Sequence, residues 1–281
     1  MDFQHLFCDN PSFLEHCSFT LSEHLLGNDV LSKIKLRYED LKANFNAVTY
    51  DEWNINGDYP LWRFSSGVTP YRDYDDTSVV PIPITKQLFE NENVVISFDF
   101  PVWFNMTDRQ AQRIMFITQS PISRDINWYK ECRDVLCSTM FGLHNPLWRN
   151  KGNGGKRIWM LSQSLIEKGY SIYFTDSYKF AIQTDSGVKV EPGRLQILAY
   201  RNILVDEIKL VKPNLIVALG NIAAKTVGEI VNDGIPMLEL PHFSGQAQPA
   251  IKSFFKVGTN EPFDINTQVN LYLDSILKAL K

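Results

Sequence analysis

Four short apolar runs recur in the second half of the chain, and each breaks sharply into polar or turn-forming residues. Ile114–Ile117 breaks into Thr118-Gln119-Ser120-Pro121, Ser171–Thr175 into Asp176, Leu215–Leu219 into Gly220-Asn221, and Met237–Leu240 into Pro241-His242-Phe243-Ser244-Gly245. Continuous apolar runs this short predict strands buried on both faces of a parallel sheet. Between and after them, apolar positions at helical spacing predict helices over Trp128 to Met140, Ile158 to Lys168, Leu195 to Leu210, Ile222 to Val231 and Ile265 to Leu280. Gly169 supplies a C-terminal cap for the second of these. Strand–helix alternation with short turns predicts an α/β fold, a three-layer α/β/α sandwich around a mainly parallel four-stranded sheet. Open α/β sheets place ligands at the carboxyl ends of their strands, which is where the polar residues fall.

The first part of the chain is patterned differently. Residues 1–105 are expected to form an N-terminal extension of unknown role, and residues 106–281 the α/β domain. Ser22 to Asn44 has helical periodicity, Tyr50 to Pro83 is loop-rich and aromatic, and Val94–Phe98 and Val102–Phe104 predict strands. The aromatics are expected to serve packing rather than base stacking.

Composition narrows the setting. No apolar run reaches the roughly 20 residues needed to cross a bilayer, and the N-terminus lacks a basic stretch before an apolar core. Four cysteines in 281 residues fit a reducing compartment better than a disulfide scaffold. A cytoplasmic protein is expected, at the nucleoid if the cell is prokaryotic, acting as a monomer. The net charge of −4 argues mildly against nucleic acid, but Arg149, Lys151, Lys156 and Arg157 form a basic strip without an intervening acid. Such a strip can meet phosphates. KGNGG (151–155) looks like a phosphate loop but does not follow a strand.

EIKLVKPNLIVALGNIAAKTV followed by IPMLELPHFSG resembles the uracil-DNA glycosylase superfamily, where a Pro-x-x-Ile-Val-x-Leu-Gly strand precedes a helix and a later strand ends in a His-Pro-Ser-like loop. ITQSP resembles its first motif, whose branches read Gly-Gln-Asp-Pro-Tyr, Gly-Glu-x-Pro-Gly or Gly-x-Asn-Pro-Gly. YFTDSYK resembles its second-strand motif, in which an asparagine follows the strand. The resemblance spans roughly residues 113–255 and holds four motifs in order.

It implies a partner, DNA, and a chemistry: flipping a nucleotide out of the duplex and hydrolysing its N-glycosidic bond to leave an abasic site, as in DNA repair. By the same resemblance, His242 would donate to the base O2 and stabilise the departing anion. Phe141, in MFGLHN, would stack on the flipped base. Backbone N–H groups around Ser244 and Gly245 would hold a phosphate, and Gln246 would fill the vacated stack. No lysine Schiff base is implied, so the enzyme would be monofunctional.

Three departures bear on substrate. The first motif lacks its acid: Ser120 stands where one branch has aspartate and Gln119 where another has glutamate. Gln119 can orient the attacking water by hydrogen bonding, and Asp125 is the nearest carboxylate. Asp176 replaces the asparagine that reads uracil. An ionised aspartate only accepts, so it suits the cytosine 4-amino group and repels uracil O4, while cytosine N3 then needs a proton from a protonated Asp176 or on the base itself. Ile122 replaces the tyrosine that walls off pyrimidine C5 in the Gly-Gln-Asp-Pro-Tyr branch.

The expected substrate is therefore a 5-substituted cytosine, such as the hydroxymethyl- or glucosyl-hydroxymethylcytosine of phage DNA, and the expected role antiviral defence. The alternatives are a uracil or mismatch repair glycosylase and a catalytically silent DNA-binding relative. No metal or cofactor is expected. One branch of the superfamily carries an iron–sulfur cluster on four cysteines, but Cys8, Cys17, Cys132 and Cys137 have different spacings.

Overall fold

A computed structural model of the protein describes residues 63–64, 94–99, 101–104, 110–120, 135–138, 140–143, 153–184, 189–190, 192, 194–231, 234–259 and 261–281. In chain order its elements are β1 (Arg63–Phe64), β2 (Val94–Asp99), β3 (Val102–Phe104), β4 (Arg113–Thr118), β5 (Val135–Ser138), α1 (Asn153–Glu167), β6 (Ser171–Asp176), β7 (Phe180–Thr184) and β8 (Lys189–Val190). There follow α2 (Arg194–Val211), β9 (Leu215–Leu219), α3 (Asn221–Ile230), β10 (Met237–Leu240), α4 (Gln248–Phe254) and α5 (Ile265–Ala279). The predicted helix at Ser22–Asn44 and most of the aromatic stretch Tyr50–Pro83 lie outside the described residues.

The four predicted apolar strands form one sheet in the order β10-β9-β4-β6, all parallel, as expected. A fifth strand was not expected there. β3 pairs antiparallel with β6, so the sheet reaches back to residue 102, before the boundary expected at 105/106. Its side chains explain the placement. Trp103 Nε1 donates to Ser171 Oγ at 2.8 Å, and Phe104 packs edge-on against Phe174 and Trp159. The apolar Trp-Phe pair thus covers an edge that would otherwise expose β6.

A second sheet, ordered β1-β5-β2-β7-β8, corrects another expectation. Helix was predicted from Trp128 to Met140, yet Val135–Ser138 is a strand running parallel to β2. A short apolar run has no decisive period of its own, and the available partner strand settles its state. Helix boundaries also moved. α1 begins at Asn153 rather than Ile158, taking in Gly154 and Gly155. α4, unpredicted, carries Pro249 in its first turn, where proline's missing N–H costs nothing.

Connection handedness locates the site. β4 leads through α1 to β6 on one side of it, whereas β6 leads through α2 back across β4 to β9, and β9 through α3 to β10. Right-handed crossovers then put α1 on one face and α2 and α3 on the other. α1 packs against α5, and α2 against α3. The direction of travel reverses between β4 and β9, which opens a crevice at their carboxyl ends. β4 is buried from Ile114 to Thr118 and β9 throughout, with Phe116 stacked on Phe174 at 4.8 Å in the core.

Candidate active site

Parallel register brings the polar strand ends level. Thr118 is the pairing partner of Asp176, and Leu219 that of Leu240. Beyond the sheet the loops stay joined: Ser177 N–H donates to the Thr118 carbonyl at 2.8 Å and Tyr178 N–H to the Gln119 carbonyl at 2.9 Å. On the other side Gly220 N–H donates to the Leu240 carbonyl at 2.8 Å. Gly220 has φ 94°, a conformation that favours glycine, and a Cβ added there would stand 3.5 Å from His242 Cβ.

The His242 loop is clamped at both neighbours. Tyr272 of α5 donates its hydroxyl to the Pro241 carbonyl at 2.7 Å, and its ring stacks on Phe243 at 4.0 Å. Arg157 of α1 donates to the Phe243 carbonyl at 2.9 Å. Between these anchors the Ser244 N–H donates to His242 Nδ1 at 3.1 Å. With Nδ1 accepting, the neutral imidazole carries its proton on Nε2, the form able to donate there. Phe141 lies against this histidine, ring centroids 5.0 Å apart and tilted by 35°. Its backbone is left-handed, φ 53° and ψ 18°. Lys212 and Lys256 share that region but sit just past helix ends, where it is routine. Phe141 does not close a long helix, so its strained backbone marks a constrained position. Gly154 makes room for the ring: a Cβ there would come within 3.1 Å of it.

Asp176 closes β6 and is buried. Its Oδ1 accepts from the Thr118 hydroxyl, and its N–H donates to Asp99 Oδ2 at 3.0 Å. Burial, reinforced by the neighbouring Asp99 charge, pushes its carboxyl well above the ordinary aspartate range; the Thr118 hydrogen bond and Lys179 oppose the shift without cancelling it. Behind it lies a polar cluster that sequence reading missed. Lys179 Nζ donates to Asp99 Oδ2 at 3.1 Å and to Glu207 Oε2 at 2.6 Å, all three side chains fully buried. Glu207 Oε1 accepts from the Tyr173 hydroxyl at 2.9 Å, and the Thr175 hydroxyl lies between the two acids, 2.7 Å from Asp99 Oδ2 and 3.0 Å from Glu207 Oε1. Burial raises Glu207, whereas the two carboxylates outweigh burial at Lys179 and raise it, so the lysine keeps its charge.

The predicted site residues divide clearly. Gln119, Ser120, Asp176, Phe141 and His242 all lie at or beyond strand carboxyl ends or packed on the loops there. Ser244 is half-buried, but its N–H, expected on a phosphate, is given to His242 instead. Gly245 and Gln246 are exposed on a short turn spanning Gly245–Ala247. Lys156 is exposed on the first turn of α1. Arg157, expected beside it on the basic strip, is instead 1% exposed and points inward to Phe243. Ile122, Asp125, Arg149 and Lys151 lie outside the described residues, as do Cys8, Cys17 and Cys132; Cys137 is on β5. No helix among the described residues is long and apolar enough to cross a membrane.

The family model of the Uracil DNA glycosylase superfamily matches residues 104–261, more than half of the chain and every strand of the main sheet except the start of β3. The chain belongs to the uracil-DNA glycosylase superfamily. No match is found among curated proteins. Superfamily membership carries a coarse functional statement: a domain of the DNA glycosylase type, with DNA as the substrate implied. Its match ends just beyond α4, so the His242 loop lies inside it, while β2, which supplies Asp99 to the buried cluster, lies ahead of it.

Proposed function

We propose that this protein is a monofunctional DNA glycosylase that flips out and excises a 5-substituted cytosine, leaving an abasic site. One observation carries the reading: Asp176 is buried at the second-strand position where the superfamily pattern has asparagine, and burial beside Asp99 raises its carboxyl well above the ordinary aspartate range, which favours the neutral acid. A neutral carboxylic acid offers one donor and one acceptor side by side. Its O–H pairs with cytosine N3 and its carbonyl accepts from the 4-amino group.

In the proposed reaction, a water oxygen bonds to C1′ as the C1′–N1 bond breaks and its electron pair leaves with the base. The water gives up its proton to solvent or to the released base. Gln119 orients the water, His242 donates from Nε2 to the base O2 as charge builds there, and Phe141 stacks on the base. By the sequence resemblance alone, Ile122 stands where one branch has the tyrosine that walls off C5, which is why a 5-substituted base is proposed. Hydroxymethylated or glucosylated cytosine in phage DNA would be the selective target, making this a defence enzyme.

The test is release of free base from oligonucleotides carrying uracil, cytosine, 5-hydroxymethylcytosine or its glucosylated form, with the product identified by mass spectrometry. Release from a modified cytosine alone supports the proposal. Release of uracil alone would mean a repair enzyme. Tight DNA binding without release of any base would mean a silent relative.

A further inference from the structure

Three carboxylates, Asp99, Asp176 and Glu207, and one ammonium, Lys179, share a space with at most 1% exposure for any of them. Were all ionised, the cluster would carry an uncompensated excess of negative charge in a medium that tolerates almost none. Protons must be retained, and the geometry decides where. Lys179 is bonded directly to Asp99 and Glu207, and the single Thr175 hydroxyl proton lies within reach of either; Asp99 also accepts the Asp176 N–H. No ion pair joins Lys179 to Asp176 among the described residues. The side chain of Asp176 is instead held by an uncharged hydroxyl, Thr118, on Oδ1. Among the described residues Asp99 Oδ1 has no hydrogen-bond donor, so the charge of Asp99 is poorly dissipated beside Asp176.

We propose that Asp99, Lys179 and Glu207 are positioning residues that keep Asp176 as a neutral acid and thereby set which base edge the site can read. Among the described residues, every charged or titratable group facing Asp176 takes part: Asp99 from β2, Lys179 from the turn after β6 and Glu207 from α2, with the Thr118 hydroxyl from β4. The three N–H groups of the lysine go to Asp99, Glu207 and the Thr175 hydroxyl, and its single charge cannot also neutralise a third acid. Thr118, donating to Oδ1, leaves that oxygen as the carbonyl and puts the acid proton on Oδ2. Asp176 then resembles an amide in having one donor and one acceptor. Unlike an amide, it can lose that donor by ionising, and a site so built loses its grip on an unprotonated N3 as pH rises.

Proton retention by Asp176 follows from the cluster alone, whereas its reading of a base rests on the proposed glycosylase function. Two measurements separate them. Infrared spectra of the full chain should contain a neutral-carboxyl band at neutral pH that vanishes in Asp176→Asn and survives in Glu207→Gln. In Asp99→Asn, removal of the neighbouring charge should move the loss of that band to lower pH by about one unit or more. The alkaline fall in base release from 5-hydroxymethylcytosine DNA should move by the same amount. No such band in the wild type, a band that disappears only in Glu207→Gln, or an unmoved titration in Asp99→Asn overturns the inference. The expected band and shift without release of any modified cytosine support the protonation device and remove the substrate reading.

Discussion

Ser244 fixes the chemistry of His242: its backbone N–H donates to Nδ1 at 3.1 Å, so the neutral ring carries its proton on Nε2. The bond spans only two residues and needs the tight turn held by Tyr272 on the Pro241 carbonyl and Arg157 on the Phe243 carbonyl. A preorganised donor of this kind acts only as negative charge develops on the base. His242→Ala should therefore cut single-turnover base release by about 10²–10³-fold while leaving DNA affinity near wild type. A comparable loss of affinity in a binding titration would assign the histidine to binding instead.

The strands of the main sheet were legible because burial on both faces forces nearly every residue in them to be apolar. The polar residue that follows each run marks its end as plainly. β5 was not legible, since Val135–Ser138 becomes a strand only by pairing with β2, and nothing in its own residues announces that partner. Arg157 was misread from proximity to other basic residues, although helix phase held the answer. It lies one turn before Leu161 and two before Leu165, both fully buried, whereas Lys156 falls on the exposed side. Glu207 offered a similar signal, a lone charge among Ile203, Leu204, Ile208 and Val211 on the buried face of α2. Asp99 and Lys179 had none, because they meet only through the antiparallel pairing of β2 with β7, which sets one opposite the other.

Helix phase predicts opposite salt behaviour for the two neighbouring cations. Lys156 is exposed and can neutralise a phosphate, so Lys156→Ala should reduce the slope of log affinity against log salt by about 0.9. Arg157→Met should leave that slope unchanged. It should instead lower stability by about 1.5–3 kcal/mol, the range for a lost hydrogen bond to a charged group, and slow base release by loosening the Phe243 carbonyl. Salt-dependent binding and denaturant melts of the two variants check both halves.

Gly154 faces Phe141 closely enough that an added side chain would crowd the ring. An added Cβ would sit 3.1 Å and 3.3 Å from two ring carbons and 3.4 Å from the Phe243 carbonyl oxygen. Alanine would favour the helix by up to about 1 kcal/mol, so stability should change little. The ring, however, must move, and misplaced stacking should lower base release by about tenfold or more. A variant with an unchanged melting temperature and unchanged turnover would show that Phe141 does not stack on substrate.

Asp176 also predicts how stability varies with pH. Its folded-state carboxyl holds a proton well above the range in which the unfolded chain releases it. Below the unfolded pKa both states are protonated and the neutral acid is fully compatible with burial. As pH rises beyond that range, the unfolded chain gains stability by ionising while the folded chain cannot, so the folding free energy declines until the folded carboxyl itself ionises. Glu207, raised in the same direction, adds to the decline. Lys179, also raised, keeps its contribution until the solution is strongly alkaline. Asp264 is shifted downward by its helix-capping bond to Thr267, and it matters only in stronger acid. Asp176→Asn supplies a neutral side chain at every pH, so it should lose less stability than the wild type between weakly acidic and weakly alkaline buffers. Thermal melts of both proteins across that window test this, and parallel curves would mean that Asp176 is ionised in the folded protein.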